Sequence, residues 1–391
     1  MTIKYRIIIG LLLSFVALAN VSCLSDGNKT IVLVNQSSKE NSGQEDVTPP
    51  MDVIPDNPYI VDANTDIPNI QYALEDENGE KYLILYMTGI QKPDGMGWLR
   101  LIGTAGGVNQ NIWSSIDNTP KALTVYNAID GQDQSKLMKN DLVFLIDNSS
   151  SMAEEANVIA RDLLEWAQRL SAQLDMQFAC VGYNGTIRGA IDLTSYDVLS
   201  NYLNRNTGTD MTVGFAGSNS DELAAVAQEY SFYKDIESPM AALHFANDNF
   251  SFREDANRIY VNFTDESNFN YDESKYSVEY LASQENWSTL QGTIHTVFSN
   301  NGIFDEGEEP WLMSKYTGGT VLFANSAFSD ISLDTIPVTY AMQNSYVIRI
   351  ANVGEFIDGN EHHLKLSIKT PENDVRAEKL FKIVVGEHID E

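Results

Sequence analysis

Two cysteines and five histidines in 391 residues leave several chemistries out of reach. Cys23 ends an N-terminal apolar run, and Cys180 lies within Phe178-Ala179-Cys180-Val181-Gly182. With Cys23 set apart, no internal disulfide is expected, and the apolar neighbours of Cys180 point to an inert buried thiol. The histidines fit no nucleophile motif. His362-His363 stands alone between extended runs, so a zinc site there is not expected. Basic residues are also scarce: 25 Lys and Arg face 55 Asp and Glu, a formal net charge of −30. Such a field repels phosphate backbones, which argues against nucleic-acid binding, and it favours divalent cations. No internal repeat is present. What the chain does have is globular composition, with 43% hydrophobic and 10% aromatic residues. Its length exceeds what one hydrophobic core usually serves, so two domains are the default.

The first 22 residues read as a targeting segment. Lys4 and Arg6 give a positive start, and Ile7 to Leu18 is an apolar run too short and too terminal for an ordinary membrane span. Small residues and Cys23 follow. This resembles a bacterial lipoprotein signal, which implies lipidation of Cys23 and a membrane anchor. Asn20 stands where that pattern usually has Leu, so a plain secretory signal with an incidental cysteine is the other reading. Either way the chain is exported. A cell-envelope location follows, at the outer membrane or cell surface if lipidated. Residues 23–57 are polar and carry Pro49, Pro50 and Pro55, as a tether would, apart from the apolar Ile31 to Val34.

Residues 58–138 show strand-like runs and no helical periodicity. Glu77-Asn78-Gly79-Glu80 is a hairpin turn leading into Tyr82 to Tyr86. Trp98 to Ile102 and Ala122 to Tyr126 read as further strands. The pattern changes at about 139. Leu142 to Ile146 is a continuous apolar run, as at the centre of a parallel sheet. An amphipathic helix follows over 152–174, with Ile159, Leu163, Leu164, Trp166 and Leu170 on or near one face. Strands are expected at Phe178 to Tyr183, Ile187 to Ile191, Ile259 to Phe263, Thr293 to Phe298 and Thr320 to Phe323. Helices are expected at 195–203, 220–230, 240–246 and 311–316, the last stopped by Gly318-Gly319. A closing helix is expected over 330–344, interrupted by Pro337. Alternation of this kind predicts a doubly wound α/β domain over 139–345. Residues 346–391 return to strands. The two β regions flanking the α/β domain form either one sandwich interrupted by it or two separate small domains.

Ligand sites on open α/β sheets lie beyond the carboxyl ends of strands. Asp147 ends the apolar run there, and Ser149 and Ser151 follow at alternate positions in a strand-to-helix loop. Their carboxylate and hydroxyl oxygens are hard donors that suit Mg²⁺ first, with Ca²⁺ or Mn²⁺ also possible.

Asp-x-Ser-x-Ser after an apolar strand resembles the metal-ion-dependent adhesion site of von Willebrand factor A domains. Asp265, after Val261-Asn262-Phe263-Thr264, matches that family's acidic residue beyond a later strand. Trp311 to Phe323 matches its run of short helix, Thr-Gly-Gly and edge strand. The family's usual Gly-Gly-x-Thr segment is missing. Asp235-Ile236-Glu237-Ser238-Pro239 stands in its place and is similar to the integrin β-subunit version, which implies Glu237 as a ligand. Thr209 competes for that role. Integrin β domains also extend the loop with acids for a neighbouring Ca²⁺. Glu154 and Glu155 hold those positions, although acids in a first helical turn also simply favour the macrodipole.

The resemblance implies a binding protein that uses a divalent metal to hold an exposed acidic residue of a protein ligand, with the closing helix tuning access. It implies no enzyme. The alternatives are a structural or assembly scaffold of an envelope complex or appendage and, less favoured, a metal-assisted hydrolase, for which no general base or nucleophile is evident. Two other acidic runs were weighed. Asp62 to Asp66 begins like a Ca²⁺ loop but lacks its glycine and final glutamate, so it reads as a turn. Asp305-Glu306-Gly307-Glu308-Glu309 reads as a solvated acidic loop with incidental Ca²⁺ binding.

Overall fold

A computed structural model describes residues 54–104, 109–128, 139–204, 215–230, 236–299, 305–325, 332–370 and 374–386, with only the backbone given at 153–157, 160 and 161. The targeting segment, Cys23, nearly all of the tether and Thr209 lie outside the described residues.

The chain opens with β1 (Ile70–Glu77), β2 (Glu80–Met87), β3 (Ile112–Ile116), β4 (Thr119–Lys121) and β5 (Leu123–Asn127). Asn78 and Gly79, both at positive φ, close β1 and β2 into the expected hairpin. Next come β6 (Lys139–Asp147), α1 (Ala153–Gln173), β7 (Asp175–Tyr183), β8 (Ile187–Thr194), α2 (Tyr196–Asn204), α3 (Asp221–Glu229) and α4 (Pro239–Asn249). They are followed by β9 (Ala256–Thr264), β10 (Thr293–Ser299), α5 (Trp311–Thr317), β11 (Val321–Ala324) and α6 (Pro337–Gln343). The chain returns to strands with β12 (Tyr346–Ile350), β13 (Glu361–Thr370) and β14 (Val375–Val384).

The α/β body is built on one six-stranded sheet in the order β11-β10-β9-β6-β7-β8. Its neighbours run parallel except β7 and β8, which form an antiparallel hairpin across their short connection. The continuous apolar run of β6 has a simple cause. Side chains alternate across a strand, and both faces of this one are covered. Leu142, Phe144 and Ile146 enter a core with Ile159, Leu163, Trp166 and Leu170 of α1. Val143 and Leu145 enter a second core with Met240, Leu243 and Phe245 of α4. This is the doubly wound architecture the alternation predicted. Gly318 ends α5 at φ 78°, a left-handed cap that a glycine adopts without strain. At Gly319 a Cβ would fall 1.9 Å from the Ile294 carbonyl oxygen, so the turn into β11 requires a glycine there.

The flanking β regions form one sandwich. Its sheets run β1-β2-β12-β5 and β14-β13-β3-β4, so β12 lies between two strands of the first flank and β13 pairs with β3. Leu83, Leu85 and Val125 share a core with Ile348, Leu366 and Phe381. The sandwich touches the α/β body near the start of β10: Asn69 Nδ2 donates to the Gly292 carbonyl at 2.8 Å, and Gln71 Nε2 to that of Leu290 at 2.8 Å. That is the amino end of the parallel strands. Asp147 lies at the opposite end, about 26 Å along β6 at the usual rise per residue.

Three expectations need correction. Trp98 to Ile102 is no strand, and only Trp98 makes an isolated bridge, to Gln91. Leu101 N donates instead to Asn127 Oδ1 and Ile102 N to Asn111 Oδ1, so side-chain amides replace a ladder while Leu99 and Leu101 are buried. The closing helix is short, and Pro337 begins it rather than interrupting it, because a proline at the first helical position gives up only an N–H that has no partner. The acidic loop is solvated at Asp305 and Glu306, but Glu308 is half-buried and bonded. No described helix is long and apolar enough to cross a membrane.

Candidate metal centre

β6 carries its apolar run straight into Asp147, which is fully buried. The strand then turns. Asn148 N donates to the Tyr183 carbonyl at 2.6 Å, which holds the loop to the neighbouring strand. Ser149 N donates to Asp147 Oδ1 at 3.0 Å, folding the loop back on the carboxylate. Ser149 Oγ and Ser151 Oγ lie 2.9 Å apart, and Ser151 Oγ donates to Asp265 Oδ1 at 3.1 Å. Asp265 follows the carboxyl end of β9, which pairs directly with β6, so register alone brings it beside the loop. The structure therefore gathers Asp147, Ser149, Ser151 and Asp265 at the carboxyl end of two central strands.

Glu237 arrives from a different direction. It precedes α4, whose N-cap Ser238 accepts from Ala241 N. Its side chain is buried, and Glu266 stands close enough to act on its protonation. The carboxyl is held well above the usual range by burial first, then by Glu266, then by the charge of Asp147. Burial likewise pushes Asp147 up to about 7; bonds from Thr264 and Ser149 oppose the shift, and Asp265 adds to it. Among the described residues, no basic side chain is a leading cause opposing either shift. The fields that reach the buried Tyr183 phenol come from Asp147, Glu237 and Asp265, and with burial as the largest cause they drive it well above its ordinary value.

A buried carboxylate without a countercharge is costly. The donors here are carboxylate and hydroxyl oxygens, the set a hard divalent cation prefers. Asn148 Oδ1, in the same loop, is buried without a hydrogen-bond partner among the described residues. The residues present fit a divalent ion. Among the described residues, no three His, Cys, Asp or Glu side chains form a cage by themselves, so an ion held here would need the serine hydroxyls as donors as well. Glu154 and Glu155 fall in the first turn of α1, where only the backbone is described.

Sequence reasoning passed over two groups. Thr264 Oγ1 donates to Asp147 Oδ2 at 2.7 Å and fixes the carboxylate from the side away from Ser149 N. Its signal was a hydroxyl at the end of an otherwise apolar strand, one residue before Asp265. Glu266 is the partner of Glu237, and only the fold brings those two acids together.

No family model matches the chain, and no curated protein matches it. It is similar to solved structures at low identity. The conserved hypothetical protein BatB from Bacteroides thetaiotaomicron is 13% identical over 49% of this chain and 95% of its own, with a TM-score of 0.31. An aerotolerance-related membrane protein from Bacteroides fragilis gives 14%, 49%, 94% and 0.31. The ArnB paralog VWA2 from Sulfolobus acidocaldarius gives 10%, 83%, 73% and 0.27. Scores this low transfer neither chemistry nor partners, and the reading of the site rests on its own geometry.

Proposed function

We propose that this chain is a von Willebrand factor A-type binding protein of the bacterial cell envelope, anchored through a lipid on Cys23, that engages a protein partner through a divalent metal. Asp147, Ser149, Ser151, Glu237 and Asp265 would hold the ion, with Mg²⁺ the first candidate. The observation that carries the reading is the gathering of the buried Asp147 and Asp265 with the hydroxyls of Ser149 and Ser151, while among the described residues no basic side chain is a leading cause acting on Asp147 or Glu237.

When bound, the ion supplies positive charge and a coordination position that a partner's carboxylate can fill. The chain's own groups do the positioning. Thr264 and Ser149 N orient Asp147 from two sides. Ser151 ties the loop to Asp265 and leaves its neighbour Ser150 exposed at the rim. The sandwich packs at the far end of the sheet, which leaves the loop end directed away from it. We read the site as one for binding rather than turnover, because Ser149 and Ser151 pair with each other and with Asp265 rather than with an imidazole.

The test is Mn²⁺ titration of the metal-stripped protein, followed by capture of envelope proteins with and without EDTA. Wild type is expected to bind one Mn²⁺ near the loop, and Asp147→Ala to lose that binding while keeping its circular dichroism spectrum. Capture should disappear with EDTA and in the variant alike. Equal Mn²⁺ binding by both proteins would end the metal-site assignment. Capture that ignores EDTA would favour an assembly scaffold.

A further inference from the structure

The half-buried carboxylate of Glu308 makes more bonds than an exposed acidic loop needs. Its Oε2 accepts from Asn268 Nδ2 at 2.5 Å and from Val278 N at 3.1 Å. Its Oε1 accepts from Asn270 Nδ2 at 3.0 Å and Ser277 Oγ at 2.7 Å. The Glu308 carbonyl also accepts from Asn268 N at 2.9 Å. All four bonds to the carboxylate come from N–H or O–H groups, so both of its oxygens serve as acceptors.

Asn268 carries the connection onward. It is 2% exposed, and its second amide hydrogen goes to the Tyr276 carbonyl at 2.8 Å. Its Oδ1 accepts from Met240 N and from Ser238 Oγ, both at 3.2 Å. Those are the first turn and the N-cap of α4, immediately after Glu237. The next residue, Phe269, donates its N–H to the Glu237 carbonyl at 2.9 Å, and Tyr271 Oη donates to that of Ile236 at 3.3 Å. The backbone on both sides of Glu237 is thus pinned to the 268–271 segment, and that segment is pinned to Glu308.

We propose that Glu308 is a positioning residue for Glu237: through Asn268 it sets where the amino end of α4 stands, and so where the Glu237 carboxylate stands relative to the Asp147 loop. The inference rests on the metal reading above. A fully satisfied buried polar network holds one geometry, and losing one member leaves the others without partners. Groups behind metal ligands typically alter affinity by about 10–100-fold when removed.

Two measurements test the strut. The first is Mn²⁺ affinity of the full chain for wild type, Glu308→Gln and Glu308→Asp. Glu308→Gln keeps the shape but turns an amide toward donors, and it is expected to weaken Mn²⁺ binding about tenfold or more. Glu308→Asp, which keeps the acceptor charge, should recover part of that. Arg253→Met is the control for lost stability alone, since it loosens the opposite end of the sheet, and its Mn²⁺ affinity should match wild type. The second is amide exchange at Met240 and Ala241 in the metal-free protein, which should speed up in Glu308→Gln and stay unchanged in Arg253→Met apart from global opening. If wild type binds no Mn²⁺, the metal reading falls, and amide exchange still decides the strut. If wild type binds Mn²⁺ and Glu308→Gln binds it equally well, or if exchange at Met240 is unaltered, the positioning role is wrong.

Discussion

Asp141 and Asp147 are both fully buried and stand near opposite ends of the same strand, β6, yet they are treated in opposite ways. At Asp141, Arg253 Nε donates to Oδ1 at 2.7 Å and Arg253 N to Oδ2 at 2.8 Å. The same guanidinium reaches Asp175 Oδ1 and the Asn140 carbonyl. Burial still raises the Asp141 carboxyl, but Arg253 opposes it through three separate interactions. At Asp147 the leading opposition comes from hydroxyl and amide donors of Thr264 and Ser149, and Asp265 pushes the same way as burial. One end of the strand is closed by its own counterion. At the other, no basic side chain among the described residues is a leading cause opposing the shift. Two equally buried acids on one strand are thus distinguished by their partners, not by their depth.

The largest effect should come from breaking the closed end. Arg253→Met strands Asp141 in the sheet, and removing one partner of a buried pair typically costs about 3–5 kcal/mol. Chemical denaturation should show a loss of that order. Replacing Asp141 and Arg253 together with apolar residues should recover much of it. A loss under about 1 kcal/mol for the single variant would mean that the pair is not a closed counterion system, since exposed pairs reach only that value.

The open end should show a smaller and pH-dependent effect. Asp147 and Glu237 are both raised above their unfolded values. Their contribution to the metal-free fold is therefore complete below the ordinary carboxylate range. It is lost as pH rises, for Asp147 through about 7. Metal-stripped protein should melt at a lower temperature at pH 8 than at pH 5, and Asp147→Asn should flatten that fall. Mn²⁺ should raise the melting temperature more at pH 8, because binding must displace the protons held at pH 5. A metal-induced shift of equal size at both pH values would contradict the open-end reading.

The smallest effect belongs to the sandwich, where His362 spans two acids. Its Nδ1 lies 2.7 Å from Asp117 Oδ2 and its Nε2 lies 2.9 Å from Asp358 Oδ1. Burial pulls its pKa down, but the two carboxylates outweigh that and leave it raised. Asp117 is lowered, chiefly by the His363 amide, and Asp358 falls to about 2. The histidine's share of stability is present below its ordinary pKa and fades as pH rises through the raised one. The acids' share is present above their ordinary range and fades as pH falls toward 2. His362→Gln should lower the melting temperature slightly near pH 5 and not at all near pH 9. A loss of equal size at both values would mean that packing against Phe356, not charge, is what His362 contributes.

The candidate loop was legible because its signal is local. Asp147, Ser149 and Ser151 sit within five residues at the end of an apolar strand, and strand geometry carries them to the sheet's carboxyl edge. Asp265 was legible for a related reason, since it follows a second apolar strand that parallel pairing sets beside the first. Thr264 was equally visible and went unassigned, because a hydroxyl at a strand end has many uses until its partner is known. Trp98 to Ile102 misled because alternation reports burial of one face, which the segment has, and not the ladder, which Asn111 and Asn127 replace.

Patterns of hydrophobicity and the order of strand and helix determined the doubly wound body, the hairpins and the loop at the end of β6, since each depends on residues close together in the chain. Tertiary structure alone decided that the flanking strands form one sandwich, that Arg253 serves Asp141 from 112 residues away, and that Glu308 reaches Asn268 behind Glu237 across 40. Those contacts pair single polar groups with no periodicity. A carboxylate in a sequence looks the same whether its partner is a guanidinium, an amide or a hydroxyl.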